Sequence, residues 1–343
     1  MFSISKIKSL AVGLLLFCTI LLQISEAASN LSDWSTDINF IGAVSLAHKD
    51  KIDKDLKEVV VAVIDTGIDF DHQELKNKIV TFEEGRFINA NKLNFGRDFS
   101  PGTLSFKRPF DENGHGTHIA SIIANIAPNA KILPIKYYNS EASEKQNLEA
   151  TVEAIKFAIS AGVKIINYSS GGSGMSKLES EVIKLANEKN VLLVAAAGNF
   201  GENIDKAGLE YYPASYQQQN IISVINHGPN FKLHNTSNYG LQNADISAPG
   251  TKILGALPNN RYGTLTGTSQ STAFVSGTAA LISGLSSKLT HLKIKNIILN
   301  STDSVSHFKN KCSSSGALNI EKSLDFAKKV LKRNFASTHT SKD

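Results

Sequence analysis

Three short stretches of this 343-residue chain hold side chains able to do nucleophilic chemistry. Asp65 closes the apolar run Val59–Ile64 and is followed by Thr66 and Gly67. His115 sits between two glycines in Gly114-His115-Gly116-Thr117-His118. Ser269 follows Gly267-Thr268 and opens a small-residue stretch that reaches Ala280. Taken singly, each has a plain structural use: a turn, a packed helical histidine, a helix cap. Together they meet a chemical requirement. A serine hydroxyl needs a base to become a nucleophile at neutral pH, imidazole has the pKa for that task, and a carboxylate can orient the ring. A serine at a helix start also gains from the free N–H groups and positive dipole end there. A fourth stretch, Ala195-Ala196-Ala197-Gly198-Asn199, lets an extended ligand lie close and ends in an amide donor. No metal site is expected at His115 and His118, because no acidic third ligand stands at a matching spacing.

These residues need a frame. Val59–Ile64, Val163–Tyr168 and Val191–Ala196 are continuous apolar runs, and Ile221–Ile225 is a further one. Such runs are strands covered on both faces. Two helical patterns lie between them. In Leu148–Ala161, the residues Leu148, Val152, Ile155 and Ile159 recur at helical spacing. In Met175–Lys189, the residues Leu178, Val182, Ile183, Leu185 and Ala186 are expected on one inward face. Buried strands alternating with amphipathic helices predict an α/β fold of three layers, a mostly parallel central sheet with helices on both faces. Asp65 and Asn199 then fall at the C-terminal edge of that sheet, where open α/β folds place ligands. Asn89–Pro109 reads as a polar surface loop.

Composition removes other classes. A net charge of +5 without any Lys/Arg block argues against a nucleic-acid partner. Two cysteines exclude a disulfide scaffold and a cysteine-rich zinc module. At the N-terminus, Lys6 and Lys8 precede the apolar run Leu10–Leu22 and the small-x-small site Ser25-Glu26-Ala27. This pattern reads as a signal peptide over 1–27, too short to span a bilayer comfortably. The protein is expected to be exported, to periplasm or medium, with no stable membrane association after cleavage. Cleavage removes Cys18 and leaves Cys312 without a disulfide partner. The rest divides into one domain, 28–333, and a polar C-terminal tail, 334–343; a monomer is expected.

Asp65, the Gly-His-Gly-Thr-His of 114–118, Ala-Ala-Gly-Asn at 196–199 and Gly-Thr-Ser at 267–269, in that order, resemble the subtilisin-like serine proteases (subtilases, peptidase S8 type). Ile166-Asn167-Tyr168-Ser169-Ser170-Gly171-Gly172, Tyr212-Pro213-Ala214 and Ile246-Ser247-Ala248-Pro249-Gly250 extend the match, which runs from about Trp34 to Leu331. The resemblance implies an endopeptidase that works through an acyl-enzyme on polypeptide substrates and requires no cofactor. Ser269 would attack the scissile carbonyl, His115 would serve as base and then acid, and Asp65 would orient the imidazole. His118 matches the family's second histidine, which is not the base. Asn199 and the Ser269 N–H would hold the oxyanion. Ser169, Ser170 and Gly171 would form one wall of the pocket for the residue before the cleaved bond, and Ala196, Ala197 and Gly198 the other. Tyr211 falls at its floor, where a phenol would either shorten the pocket or offer its hydroxyl to a polar side chain.

The sequence also departs from that family. Asp65 lies too near the expected cleavage point for a pro-domain, so a form without one is expected. Ile119–Pro128 runs on without the inserted loop that binds calcium in relatives, so high-affinity structural calcium is expected to be absent. Gln270, Ala273 and Phe274 replace the usual Met, Pro and His after the serine. The polar segment Asn139–Asn147 aligns with the edge strand that flanks substrate. Two other functions stay open: a catalytically silent peptide-binding protein, and an acyl-transferase or transpeptidase on the same fold.

Overall fold

A computed structural model describes residues 56–83, 86–89, 96–103 and 108–337. The expected signal peptide, 1–27, and the start of the domain lie outside the described residues. The strands in chain order are β1 Val59–Asp65, β2 Val80–Glu83, β3 Arg86–Asn89, β4 Arg97–Asp98, β5 Ala130–Lys136, β6 Ile165–Tyr168 and β7 Leu192–Ala196. They continue with β8 Ile221–His227, β9 Ile246–Pro249, β10 Ile253–Leu257, β11 Arg261–Leu265, β12 Asp303–Ser304 and β13 Gly316–Ala317. The main helices are α1 His115–Ile126, α2 Glu144–Ser160, α3 Lys177–Glu188, α4 Thr268–Leu285, α5 His291–Leu299 and α6 Ile320–Ser337.

Nine strands form one sheet in the order β12-β13-β9-β8-β7-β6-β1-β5-β4. Every pairing in it is parallel except β12 with β13. β1 supplies both cores because its apolar run has no polar alternation: Val59, Val61 and Val63 enter one, Ala62 and Ile64 the other. α1, α4, α5 and α6 cover the first face, and α2 and α3 the second. These are the expected three layers. β4 and β5 lie to one side of β1, and β6 through β9 to the other. This switch of direction opens a crevice beyond the carboxyl ends of the strands.

Several local expectations need correction. α2 starts at Glu144, ahead of Leu148, because Ser143 and Gln146 form a reciprocal capping box. Asn139–Asn147 is therefore a turn running into a helix, and not an edge strand. The inward face of α3 is Glu179, Val182, Ile183 and Ala186, an i, i+3, i+4, i+7 set. Leu178 and Leu185 turn outward instead, 59% and 37% exposed. Within Asn89–Pro109, the pair Arg97–Asp98 adds an edge strand beside β5, and Asp98 and Ser100 are buried. Asp98 Oδ1 accepts from Ser100 N–H and Oγ–H, so this part is structured by its own polar contacts. α6 runs to Ser337, across the boundary expected at Arg333. Cys312 is a buried free thiol whose pKa burial raises. Among the described residues, no helix is long and apolar enough to cross a membrane.

Candidate active site

β1, β6 and β7 are parallel neighbours, so their carboxyl ends bring Asp65, Ser169 and Ala197–Asn199 to one edge. α1 begins there at His115 and α4 at Thr268. Thus the four separated motifs converge on one crevice.

His115 Nδ1 stands 2.7 Å from Asp65 Oδ1, which also accepts the Thr66 N–H at 2.8 Å. A carboxylate partner makes Nδ1 the protonated nitrogen and leaves Nε2 as the basic one. Glycine makes this approach feasible. A methyl on Gly116 would lie 2.1 Å from the Gly67 carbonyl and 3.1 Å from Asp65 Cβ. Gly114, at φ 103°, turns the chain into the helix. Burial pulls the His115 pKa down, but the charge and hydrogen bond of Asp65, aided by the charge of Asp111, outweigh it. The imidazole is held above its ordinary 6.5.

Asp111 lies just outside the glycine-flanked motif that the sequence singles out from Gly114 onward. It is fully buried. Its Oδ1 accepts from Thr66 Oγ1 at 2.9 Å, Asn113 N at 3.0 Å and Gly114 N at 2.8 Å. Its Oδ2 accepts from Thr117 N at 2.9 Å and Thr117 Oγ1 at 2.5 Å. Thr66 Oγ1 in turn accepts the Gly116 N–H at 3.0 Å. Asp111 therefore ties the turn after Asp65 to the first turn of α1, setting the relative position of carboxylate and imidazole. The available signal was an aspartate three residues before a helix-opening glycine, a local Asx arrangement. His118 is the packed neutral histidine of the alternatives. Its Nε2 faces the carbonyls of Ile253 and Gly263 at 3.0 and 3.3 Å. Burial, then the neighbouring His115, lowers its pKa to about 4.

Ser269 is the second residue of α4, and its Oγ donates to the Ser169 carbonyl at 2.9 Å. Ser169 Oγ donates to the Ser269 carbonyl at 3.1 Å, so the start of α4 is pinned to the end of β6. A nucleophilic role for Ser269 would require its proton to turn from Ser169 toward the imidazole. Asn199 caps the same helix from outside. Its Oδ1 accepts the Thr268 N–H at 2.9 Å and Thr268 Oγ1 at 3.2 Å. With the oxygen engaged, Nδ2 is the donor that Asn199 has left to offer beside Ser269. The two expected walls stand on either side. Ser169 and Ala196–Gly198 are buried, Ser170 hydrogen-bonds Tyr137, and Gly198 N donates to Thr268 Oγ1 at 3.2 Å. Tyr211 lies between the walls, 4% exposed. Burial, then the nearby Glu179, pushes its hydroxyl pKa well up. Among the described residues, no group of three or more His, Cys, Asp or Glu is placed to hold a metal ion.

A serine at a helix start, an imidazole and a carboxylate at the carboxyl edge of a parallel sheet define a serine hydrolase of α/β class. The subtilase family profile matches residues 56–323, and the chain belongs to that family: it is a serine-type endopeptidase. The chain is 35% identical over 235 residues to the major intracellular serine protease of Bacillus subtilis (strain 168), covering 66% of this chain and 68% of that one. It is 32% identical over 285 residues to the cell wall-associated protease of the same organism, covering 79% of this chain and 28% of the longer relative. A solved structure of a subtilase cytotoxin assembly contains a chain that superposes with a TM-score of 0.68 at 26% identity, over 85% of this chain and 96% of that one.

Proposed function

We propose that this chain is an exported endopeptidase that hydrolyses polypeptides with Ser269 as nucleophile, His115 as acid–base and Asp65 as its orienting carboxylate. The observation that carries this is the 2.7 Å His115–Asp65 contact in the crevice where α4 presents Ser269. Ser269 Oγ bonds to the scissile carbonyl carbon while its proton passes to His115 Nε2. The oxyanion that forms accepts from Asn199 Nδ2 and the Ser269 N–H, donors held in place before the reaction starts. The C–N bond then breaks, and His115 returns the proton to the leaving amine. Water repeats the sequence on the acyl-enzyme and regenerates Ser269.

Export is supported by the Lys6/Lys8, Leu10–Leu22 and Ser25–Ala27 pattern. Independence from high-affinity calcium is supported by the direct passage from α1 through Ala127 and Pro128 to β5. An EDTA addition is expected to leave the Tm unchanged, and a large fall would refute this part. The catalytic assignment is tested by fluorophosphonate labelling of wild type and Ser269→Ala. Labelling that vanishes in the variant is expected. Absence of Ser269-dependent labelling would instead favour a silent peptide-binding protein. Mass spectrometry of products formed with an added amine separates hydrolysis from acyl transfer.

A further inference from the structure

Tyr211 is tied by its backbone at the floor of the slot. Its N–H donates to Ser215 Oγ at 3.0 Å, and its carbonyl accepts the Ser215 N–H at 2.8 Å. The next residue, Tyr212, pairs with Gly172 through two backbone hydrogen bonds of 2.9 and 2.7 Å, so the tyrosine is stitched to the end of one wall. One edge of its ring spans the gap between the walls. A methyl built on Gly198 would stand 3.0 Å from Cγ and Cδ1. One built on Gly171 would stand 2.6 Å from Cε1 and 3.1 Å from Cζ. Both walls flank the nucleophile, through Ser169 on one side and the Gly198–Thr268 bond on the other. The ring therefore occupies the space a side chain would enter from Ser269. Phe200, directly after Asn199, packs against this ring with centroids 6.1 Å apart, and is itself 42% exposed.

We infer that Tyr211, backed by Phe200, closes the slot between the Ser169–Gly171 and Ala196–Gly198 backbones, so that the residue before the cleaved bond is restricted to glycine, alanine or serine. Of the two roles a phenol could take at this floor, filling the slot is the one the ring geometry favours. The inference rests on the endopeptidase reading above. Larger residues would have to displace a side chain whose backbone is tied on both sides, and close packing makes that costly.

The test compares kcat/KM for peptides that differ only at this position: Gly, Ala, Ser, Leu, Phe and Lys. Wild type is expected to favour Ala over Phe and Leu by about 10- to 100-fold. Tyr211→Gly is expected to raise the Phe-to-Ala ratio at least about tenfold, and Tyr211→Phe, which keeps the ring, to preserve the wild-type order. Wild type that cleaves after Phe, Leu or Lys as well as after Ala overturns the inference, as does a Tyr211→Gly profile that does not move. If Tyr211→Gly fails to fold, paired peptide boronic acids ending in alanine or phenylalanine decide on wild type alone: equal inhibition overturns the inference. Fluorophosphonate labelling of the same preparation separates the two levels. Without Ser269-dependent labelling the endopeptidase reading falls and takes this inference with it; with labelling, a wrong profile sinks only the slot.

Discussion

Two buried carboxylates on either side of the crevice have opposite surroundings. Asp111, on the side of the proposed triad, receives five hydrogen bonds shared between its two oxygens. Glu179, behind the slot on α3, accepts from the Tyr216 hydroxyl at 3.0 Å. Burial raises the Glu179 pKa to about 7, against only that one opposing hydrogen bond. The difference teaches what each side is built for. A carboxylate surrounded by donors orders the segments that donate to it. A carboxylate desolvated with little compensation carries a pH-dependent cost into the fold.

The strongest way to probe the triad side is to remove its chemistry. Ser269→Ala is expected to lower kcat by about 10⁶-fold, the size known for subtilisin itself. Asn199→Ala is expected to lower kcat by about 10²–10³-fold with little change in KM, again the scale of the subtilisin example. Steady-state kinetics check both, and a KM effect alone for Asn199→Ala would contradict the oxyanion role. Asp111→Asn must place an NH₂ against donors at one of the two oxygen positions. It is expected to cost about 2–4 kcal/mol of stability and about 10- to 100-fold in kcat. It also removes a charge that raises the His115 pKa. As the proposed base His115 would act when neutral, so wild-type kcat/KM should fall off on the acid side of a midpoint above 6.5, and the variant's acid limb should lie lower. An unmoved limb with lost stability would reduce Asp111 to a fold-holding role.

Glu179→Gln sharpens the other side of the comparison and has the smallest expected effect on activity. The Glu179 pKa is about 7 when folded, against 4.5 as a reference. Below 4.5 both states are protonated and the site costs nothing. Between 4.5 and 7 the unfolded chain releases its proton first, so stability falls as pH rises, by roughly 3 kcal/mol once above 7. Glu179→Gln should therefore gain more at pH 8 than at pH 5, read by urea unfolding at each pH. An equal effect at both would erase the contrast with Asp111.

β1, β6, β7 and β8 were legible because their apolar runs need no knowledge of their neighbours, whereas β5, next to β1, was not singled out. Val59–Asp65 and Ile221–His227 lie where the apolar pattern placed them. The face of α3 was not, because Leu178 and Leu185 fit a helical repeat as well as Glu179, Val182, Ile183 and Ala186 do. Hydropathy favoured the leucines; packing chose a set that includes Glu179, which accepts from the Tyr216 hydroxyl. Asp111 was missed for a related reason. An aspartate before a glycine is a common turn, and only the fold surrounds it with Thr66 and Thr117.

By itself, the sequence determined which groups are proposed to react. Residue type and short glycine-flanked turns carry that information, and they name Asp65, His115, Asn199 and Ser269 together with the parallel sheet that presents them. Tertiary structure decided the space around those groups. The slot width depends on where Ser169–Gly171, Ala196–Gly198 and Tyr211 converge from three separate segments. No local pattern encodes a distance between segments that meet only when the chain is folded.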